Sequence, residues 1–315
     1  MKKLCVVGGG YWGKNHIKTL HGLDSLGCIV EQNDILVKKY SALYPEVEIY
    51  QDVEEPLKNN LFSGYIIATP AETHYDIAKK ILMAKKHLLV EKPFALNINH
   101  AEELVVLSKQ KKVNLMVGHL LLFHPAIKKI KKVLLDGEIG KLKYIYSNRL
   151  NFGQVRNNEN VFWSFAPHDI SLFQFFTDSF PLSVELKGSD FLKNNIYDST
   201  ITTLKYPDSI DGHIFLSWLH PFKEHRLVLI GTDGMISFED SNQDKSLRLF
   251  KSKYKIKSDL PEKIDGDTVL IDYEKKMPLT EELKYFINHL DGKPLEICNA
   301  DHALEVTNIL VSASK

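Results

Sequence analysis

Cysteine is scarce. The 315 residues contain three, Cys5, Cys28 and Cys298, far apart and with no C-x-x-C pair. That excludes a disulfide framework, a zinc ribbon and a thioredoxin-type redox motif. The odd, sparse count fits a reducing compartment, with Cys5 and Cys28 as small apolar residues in strand-like runs. Long hydrophobic runs are absent too: the longest, such as Gly64–Ala68 and Leu120–Phe123, fall far short of the ~18 residues that span a bilayer. The start, MKKLCVVGGG, has a basic opening but an apolar run well below the roughly 7–15 residues of a signal peptide. These features lead us to expect a soluble, cytoplasmic protein with no membrane partner. Net charge is missing as well, since 40 basic and 40 acidic residues cancel. A nucleic-acid partner is not expected, because a basic footprint supplies most of that affinity. A local basic patch stays open. The 13 histidines include no H-E-x-x-H or other metal-ligand spacing, so no metal is assigned. What remains is an ordinary globular composition, 44% hydrophobic and 25% charged, at a length that favours two domains.

The first 119 residues alternate strand and helix patterns. Leu4–Val7 is a short apolar run ending in glycines. Gly8, Gly10 and Gly13 then form G-x-G-x-x-G, and the stretch from Trp12 carries helical spacing through Ile17, Leu20 and Leu23. A second apolar run, Leu26–Val30, ends at Glu31. Strand, glycine turn, helix, strand and acid in this order form a dinucleotide fingerprint. Gly8 permits the tight turn, Gly10 lets backbone N–H groups approach a pyrophosphate, and Gly13 lets helix and strand pack closely. The helix N-terminus offers unpaired donors to the phosphates. Glu31 would accept hydrogen bonds from the adenine ribose and repel a 2′-phosphate, which favours NAD over NADP. Further strands are expected at Val47–Tyr50, Gly64–Thr69, His87–Val90 and Asn114–Gly118, with helices at Thr73–Lys85 and Asn97–Gln110. Near-continuous apolar strands of this kind imply a parallel sheet covered on both faces. Its carboxyl ends carry Thr69, Pro70, Glu91, Lys92, Pro93 and His119. Lys92, between a strand end and a proline, could polarise a carbonyl or lower the pKa of a substrate hydroxyl; a solvated loop lysine is the alternative. Glu91 is a candidate charge partner for Lys92, and the Lys92–Pro93 bond a candidate cis peptide.

From residue 120 the alternation stops. Pro125–Leu135 reads as an amphipathic helix whose lysine-rich face (Lys128, Lys129, Lys131, Lys132) is most simply solvated. Strands follow at Lys143–Asn151, Leu182–Lys187, Thr200–Tyr206, His213–Leu219, His225–Gly231 and Gly234–Glu239. Such runs suggest a mostly antiparallel sheet. Leu279–Leu290, with Thr280 as candidate N-cap, and His302–Ser312 read as helices. We expect an α/β fold: a doubly wound Rossmann domain over 1–119, then an α+β domain with an open, mostly antiparallel sheet over 120–315. The segment WSFAPHDI holds the second domain's most reactive group. With Pro167 in the first helical turn, His168 would sit near a helix N-terminus, where the dipole favours a neutral imidazole base. A structural histidine bonded to Asp169 is the alternative.

These motifs together resemble the Gfo/Idh/MocA oxidoreductase family. The matching pieces are GGGYWGKNH at Gly8–His16, ATPAETH at Ala68–His74, EKPFAL at Glu91–Leu96, VGH at Val117–His119 and PHDIS at Pro167–Ser171. The resemblance implies a Rossmann domain followed by an open-sheet domain that commonly forms the oligomer contact, hence a homo-oligomer, dimer or tetramer. It implies cofactor contacts from Gly8, Gly10, Tyr11, Trp12, Gly13, Glu31, Thr69, Pro70, His74, Glu91, Lys92 and Pro93. Lys92 corresponds to the lysine of the family's E-K-P motif, beside the nicotinamide, and His168 to the histidine of its D-x-x-x-H pattern. Ser164 stands where that pattern has Asp, so the two-residue acid/base relay is incomplete. The stretch LNFGQVRNNENVFWSFAPHDIS resembles members that oxidise or reduce C3 of a nucleotide-linked sugar. On that reading His119, Arg149, Arg156, Asn160, Trp163, His168 and Asp169 are candidate substrate contacts. Surface ion pairs are the alternative for both arginines. The expected activity is hydride transfer between NAD and a secondary alcohol or ketone carbon of a sugar, with Lys92 and His168 as proton carriers. A free-sugar or inositol dehydrogenase and a non-catalytic NAD-binding sensor are the alternatives.

Overall fold

The computed structural model describes residues 2–59, 61–153, 155–156 and 159–314. In chain order the first elements are β1 (Leu4–Val7), α1 (Gly13–Gly22), β2 (Leu26–Val30), α2 (Asp34–Leu43), β3 (Glu48–Tyr50), α3 (Glu54–Lys58), β4 (Gly64–Ile67), α4 (His74–Met83), β5 (His87–Val90), α5 (Ile98–Lys111) and β6 (Leu115–Val117). The six strands form one parallel sheet in the order β3-β2-β1-β4-β5-β6. The order reverses between β1 and β4, the position where open α/β sheets bind ligands at their carboxyl ends. Strands β1, β4 and β6 are buried at every residue, as parallel strands between two helical layers must be. Helix α2 has no apolar stripe, since Tyr40 is its one buried residue. It is started instead by Asn33, whose side chain accepts the N–H groups of Ile35 and Leu36 at 3.0 and 3.3 Å.

The chain continues through α6 (Pro125–Leu135), β7 (Leu142–Phe152), α7 (Val161–Thr177), β8 (Ser183–Ser189), β9 (Ser199–Tyr206), β10 (Ile210–Ser217), β11 (Leu219–Gly231), β12 (Met235–Glu239), β13 (Leu247–Phe250), β14 (Lys253–Lys257), β15 (Leu260–Ile264) and β16 (Thr268–Ile271). Eight strands form an open sheet, β16-β13-β12-β11-β7-β10-β9-β8, antiparallel except for the β7–β10 pair; β14 and β15 form a separate hairpin. The period-2 pattern is clear in β9, where Thr200, Thr202, Leu204 and Tyr206 are buried and the residues between them exposed. Helix α7 packs on β7, β9 and β10. Gly212 of β10 makes room for it: a Cβ there would lie 2.9 Å from the Phe173 ring.

The last helices, α8 (Pro278–Asn288) and α9 (Ala300–Ala313), belong largely with the first unit and not with a domain running over 120–315. The chain splits into one unit of Met1–Phe123 with Met277–Val311 and another of His124–Lys276 with Ser312–Lys315. The reason is packing. Ala300 and Ala303 of α9 join the core of the parallel-sheet unit. Gly64 of β4 leaves space for α8 and the residues after it: a Cβ would sit 2.5 Å from Leu290 and 3.4 Å from Phe286. Thr280 is not the cap of α8 either. The helix begins at Pro278, with Met277 at the N-cap and no side-chain cap bond; proline suits this first position because its missing N–H would have no helical partner. No helix among the described residues is long and apolar enough to cross a membrane.

Candidate active site

The glycine turn joins β1 to α1 at the switch point. Gly8 has φ +93°, a left-handed conformation that disfavours any side chain. A Cβ there would also meet the Thr69 methyl at 2.8 Å. Gly13 touches the turn itself, since its Cβ would fall 1.9 Å from the Gly8 carbonyl oxygen. Gly10 is exposed, and a Cβ on it would meet nothing within 4 Å. The turn is pinned from two further elements. Glu31, after β2, accepts the Gly9 N–H at 2.7 Å and the Asn33 N–H at 2.9 Å. Tyr40 of α2 donates its hydroxyl to the Gly9 carbonyl at 2.5 Å. The sequence pattern identified Glu31 but not Tyr40, which is recognisable only once α2 folds back on the turn.

This geometry fits a dinucleotide. The N-terminus of α1 carries no side-chain cap and no acidic residue in its first turn, so its positive dipole end is open to a pyrophosphate. Space is open above Gly10. Each Glu31 oxygen has accepted one N–H and keeps a lone pair for a ribose hydroxyl. Tyr11 is 79% exposed, with the Lys14 ammonium 4.9 Å from its ring centre. Trp12 stands edge-on to His16.

Lys92 follows β5 and is half-buried, next to a cis bond to Pro93. The Glu91 side chain pairs with His16 Nε2 at 2.7 Å, and its other oxygen accepts the backbone N–H of Lys92 at 3.2 Å. His74, expected at the cofactor, is 1% exposed. Its Nδ1 lies 2.9 Å from the Pro93 carbonyl and its Nε2 3.0 Å from that of Thr69. It therefore ties two of the strand-end loops together. Burial pulls its pKa below the ordinary value, and the neutral ring donates to one of the two carbonyls at a time. Thr69 in turn accepts the Thr73 hydroxyl at 2.7 Å, and Pro70 is exposed and opens a short 3₁₀ turn. His119 is also buried, edge-on to His302 of α9 at 5.2 Å. Burial, then the neighbouring His302 and Lys92, hold its imidazole well below the usual range.

In the second unit most predicted substrate contacts have structural work. Helix α7 starts at Val161, not near Pro167, because the Asn160 side chain caps it by accepting the Trp163 N–H at 3.0 Å. Pro167 lies inside the helix and lacks the N–H that the carbonyl four residues back would bind. His168 is thus about two turns inside. The helix-dipole argument for its pKa fails there, because that field fades within the first turn. His168 is half-buried, and its carbonyl accepts the Ser171 hydroxyl at 2.8 Å.

Asp169 is fully buried. Its carboxylate accepts Arg149 Nε and Nη2, each at 2.9 Å, and the Ser147 hydroxyl at 2.5 Å. Arg149, expected as a substrate contact, thus spends its two-pronged grip on Asp169 inside the protein. Beside them, His225 is pushed down to about 4 by burial and by the Arg149 and Lys223 charges. Trp163 Nε1 donates to the Ser314 hydroxyl at 3.1 Å. Arg156 is exposed and paired with Glu159. Gln154, Asn157 and Asn158, within the segment that resembles the sugar-pathway members, lie outside the described residues. No cluster of three or more potential metal ligands occurs among the described residues.

Comparison with known proteins agrees with this architecture. Residues 2–119 match the family model described as "Oxidoreductase family, NAD-binding Rossmann fold". Residues 127–237 match the "GFO/IDH/MocA C-terminal domain". UDP-N-acetylglucosamine 3-dehydrogenase of Acidithiobacillus ferrooxidans is 24% identical over 190 residues, 58% of this chain and 56% of that protein. The solved structure of UDP-N-acetylglucosamine 3-dehydrogenase GnnA from Acidithiobacillus ferrooxidans matches with a TM-score of 0.86 at 20% identity, covering 98% of this chain and 95% of the other. The 2,7-anhydro-N-acetylneuraminate hydratase of Escherichia coli is 23% identical over 267 residues, 78% of this chain and 69% of that protein. GenD2 from gentamicin A biosynthesis, in complex with NAD, has a TM-score of 0.82 at 18% identity, with 99% and 94% coverage.

Proposed function

This chain belongs to the Gfo/Idh/MocA oxidoreductase family and carries its NAD-binding Rossmann domain; from that premise we propose that it moves a hydride reversibly between nicotinamide and a secondary alcohol or ketone carbon of a sugar, nucleotide-linked and acted on at C3. The observation that carries the chemistry is the strand-end arrangement of the first unit. The glycine turn and Glu31 suit a dinucleotide, and the same sheet presents Lys92, half-buried, after β5. NAD, when bound, supplies the hydride acceptor. Glu31 disfavours a second negative phosphate on the ribose, which supports NAD over NADP.

In the proposed oxidation, the substrate hydroxyl loses its proton as the hydride leaves. Lys92 stabilises the developing alkoxide or takes that proton, and His168 is the second proton carrier. Groups of this kind contribute about 10²–10⁴-fold each. The nucleotide-sugar reading draws support from the 3-dehydrogenase relative. One observation favours a free sugar or polyol: Arg149, a candidate diphosphate contact, is bound to Asp169. Assembly into a dimer or tetramer through the eight-stranded sheet belongs to the same proposal.

The test is reduction of NAD read at 340 nm against UDP-sugars, dTDP-sugars, free sugars and inositol. Turnover confined to nucleotide-sugars is the expected result. Turnover confined to free sugars or inositol selects the other substrate class. Tight NADH binding without turnover on any of them replaces the enzyme reading with a binding protein.

A further inference from the structure

The backbone at Lys92 is held on both flanks by buried histidines of the first unit. On one flank, Glu91 gives one oxygen to His16 Nε2 (2.7 Å) and the other to the Lys92 N–H (3.2 Å). His16, from α1, is fully buried, and Glu91 is 7% exposed. Gly118 completes the seat, because a Cβ there would crowd the Glu91 carboxylate at 3.1 Å. On the other flank His74 lies 2.9 Å from the Pro93 carbonyl. Glu282 of α8 has zero exposure, on a helix packed against the α1 that carries His16, and its carboxyl feels the Glu91 charge. Neither of its carboxyl oxygens has a hydrogen-bond partner among the described residues, and the same holds for His16 Nδ1. Helix α8 packs on α1 and on the Leu120–Phe123 segment, and that segment brings no charge.

We infer that His16 and Glu282 are positioning residues for Lys92, acting through the Glu91 carboxylate that His16 grips and Glu282 backs. This rests on the reading of Lys92 as the group that handles the substrate's hydroxyl. The charges are consistent with it. Burial, then the charge of Glu91, raises the Glu282 pKa well above the usual carboxylate range, which favours its neutral form. Glu91 faces His16 from α1, His74 from α4, Glu282 from α8 and the adjoining Lys92; His119, after β6, feels the Lys92 charge. Ionising Glu282 would set two buried carboxylates against each other and loosen the Glu91 seat. Positioning by this route therefore weakens on the alkaline side.

Hydrogen–deuterium exchange of the full chain, read in peptides covering Leu88–Leu96, tests the seat without a substrate. H16A is expected to speed exchange at the Lys92 amide about tenfold or more while peptides of β1 and α1 stay protected. H16Q, which restores a donor to Glu91, is expected to recover most of the protection. With the substrate found at 340 nm, H16A is expected to lose about 10²-fold in kcat, since small misplacements cost that much; its Kd for NADH should change little. E282Q is expected to move the alkaline limb of the kcat profile to higher pH. Unchanged exchange in H16A, no recovery in H16Q, or an unmoved alkaline limb in E282Q each overturns the inference. Faster exchange in H16A with normal turnover, together with normal turnover in K92A, overturns instead the reading of Lys92 on which it rests.

Discussion

The two units treat their reactive side chains differently. In the parallel-sheet unit, polar residues at the strand ends serve to hold a backbone shape open: Glu31 and Tyr40 pin the glycine turn, and His74 and Glu91 pin the peptide at Lys92. The shape stays available because the buried partners stand behind it. In the antiparallel-sheet unit, four residues expected to contact substrate have partners within the fold. Asn160 starts α7, Asp169 neutralises Arg149, and Trp163 reaches Ser314. A residue type suited to a ligand is equally suited to a helix cap or a buried ion pair, and only the fold decides which. In this chain the first unit spends glycines and backbone geometry on binding, and the second spends charge on its own core.

The contrast can be broken most severely at Asp169. D169A leaves the Arg149 guanidinium buried without its partner, and urea unfolding should show a loss of about 3–5 kcal/mol. A variant that keeps wild-type stability would mean the pair is not structural, and would return Arg149 to the substrate list.

A smaller effect, with a sign fixed by pH, is expected at Glu282. Its folded pKa is raised, so the folded chain keeps a proton that the unfolded chain releases near the ordinary carboxylate value. Wild-type stability therefore falls as pH rises from that value toward the folded pKa, by at most about 1.4 kcal/mol per pH unit from this group. E282Q lacks the dependence. Its stability relative to wild type should grow between pH 5 and pH 8.5, measured by urea unfolding at several pH values; a constant or shrinking difference contradicts the buried neutral carboxyl.

The smallest effect is at the start of α7. N160A should cost about 1 kcal/mol, the usual loss of an N-cap, with little change in NADH binding. A large loss of turnover with only that loss of stability would restore Asn160 as a substrate contact.

How much of this was legible in the sequence follows from what each signal depends on. The glycine turn, Glu31 and the buried strands depend on local order and were readable. So was α6, whose period-3.6 apolar face matches Pro125–Leu135 to the residue. Helix α2 was missed because it buries only Tyr40 and so has no stripe. The start of α7 was misplaced because Pro167 looks like a first-turn proline, while the competing signal, Asn160 three residues before Trp163, lies in a stretch that reads as loop. Glu282 was unreadable in kind. In TEELKYF a glutamate next to another glutamate looks solvated, and its burial exists only because α8 returns to the parallel-sheet unit. The same return takes these last helices out of the domain expected over 120–315.

The account stands most directly on Lys92. Wild type and K92A should be compared for NADH binding by fluorescence and for sugar-dependent NAD reduction at 340 nm. The prediction is NADH affinity within a few-fold of wild type and turnover lowered by about 10²–10⁴-fold. Turnover in K92A close to wild type would contradict the account.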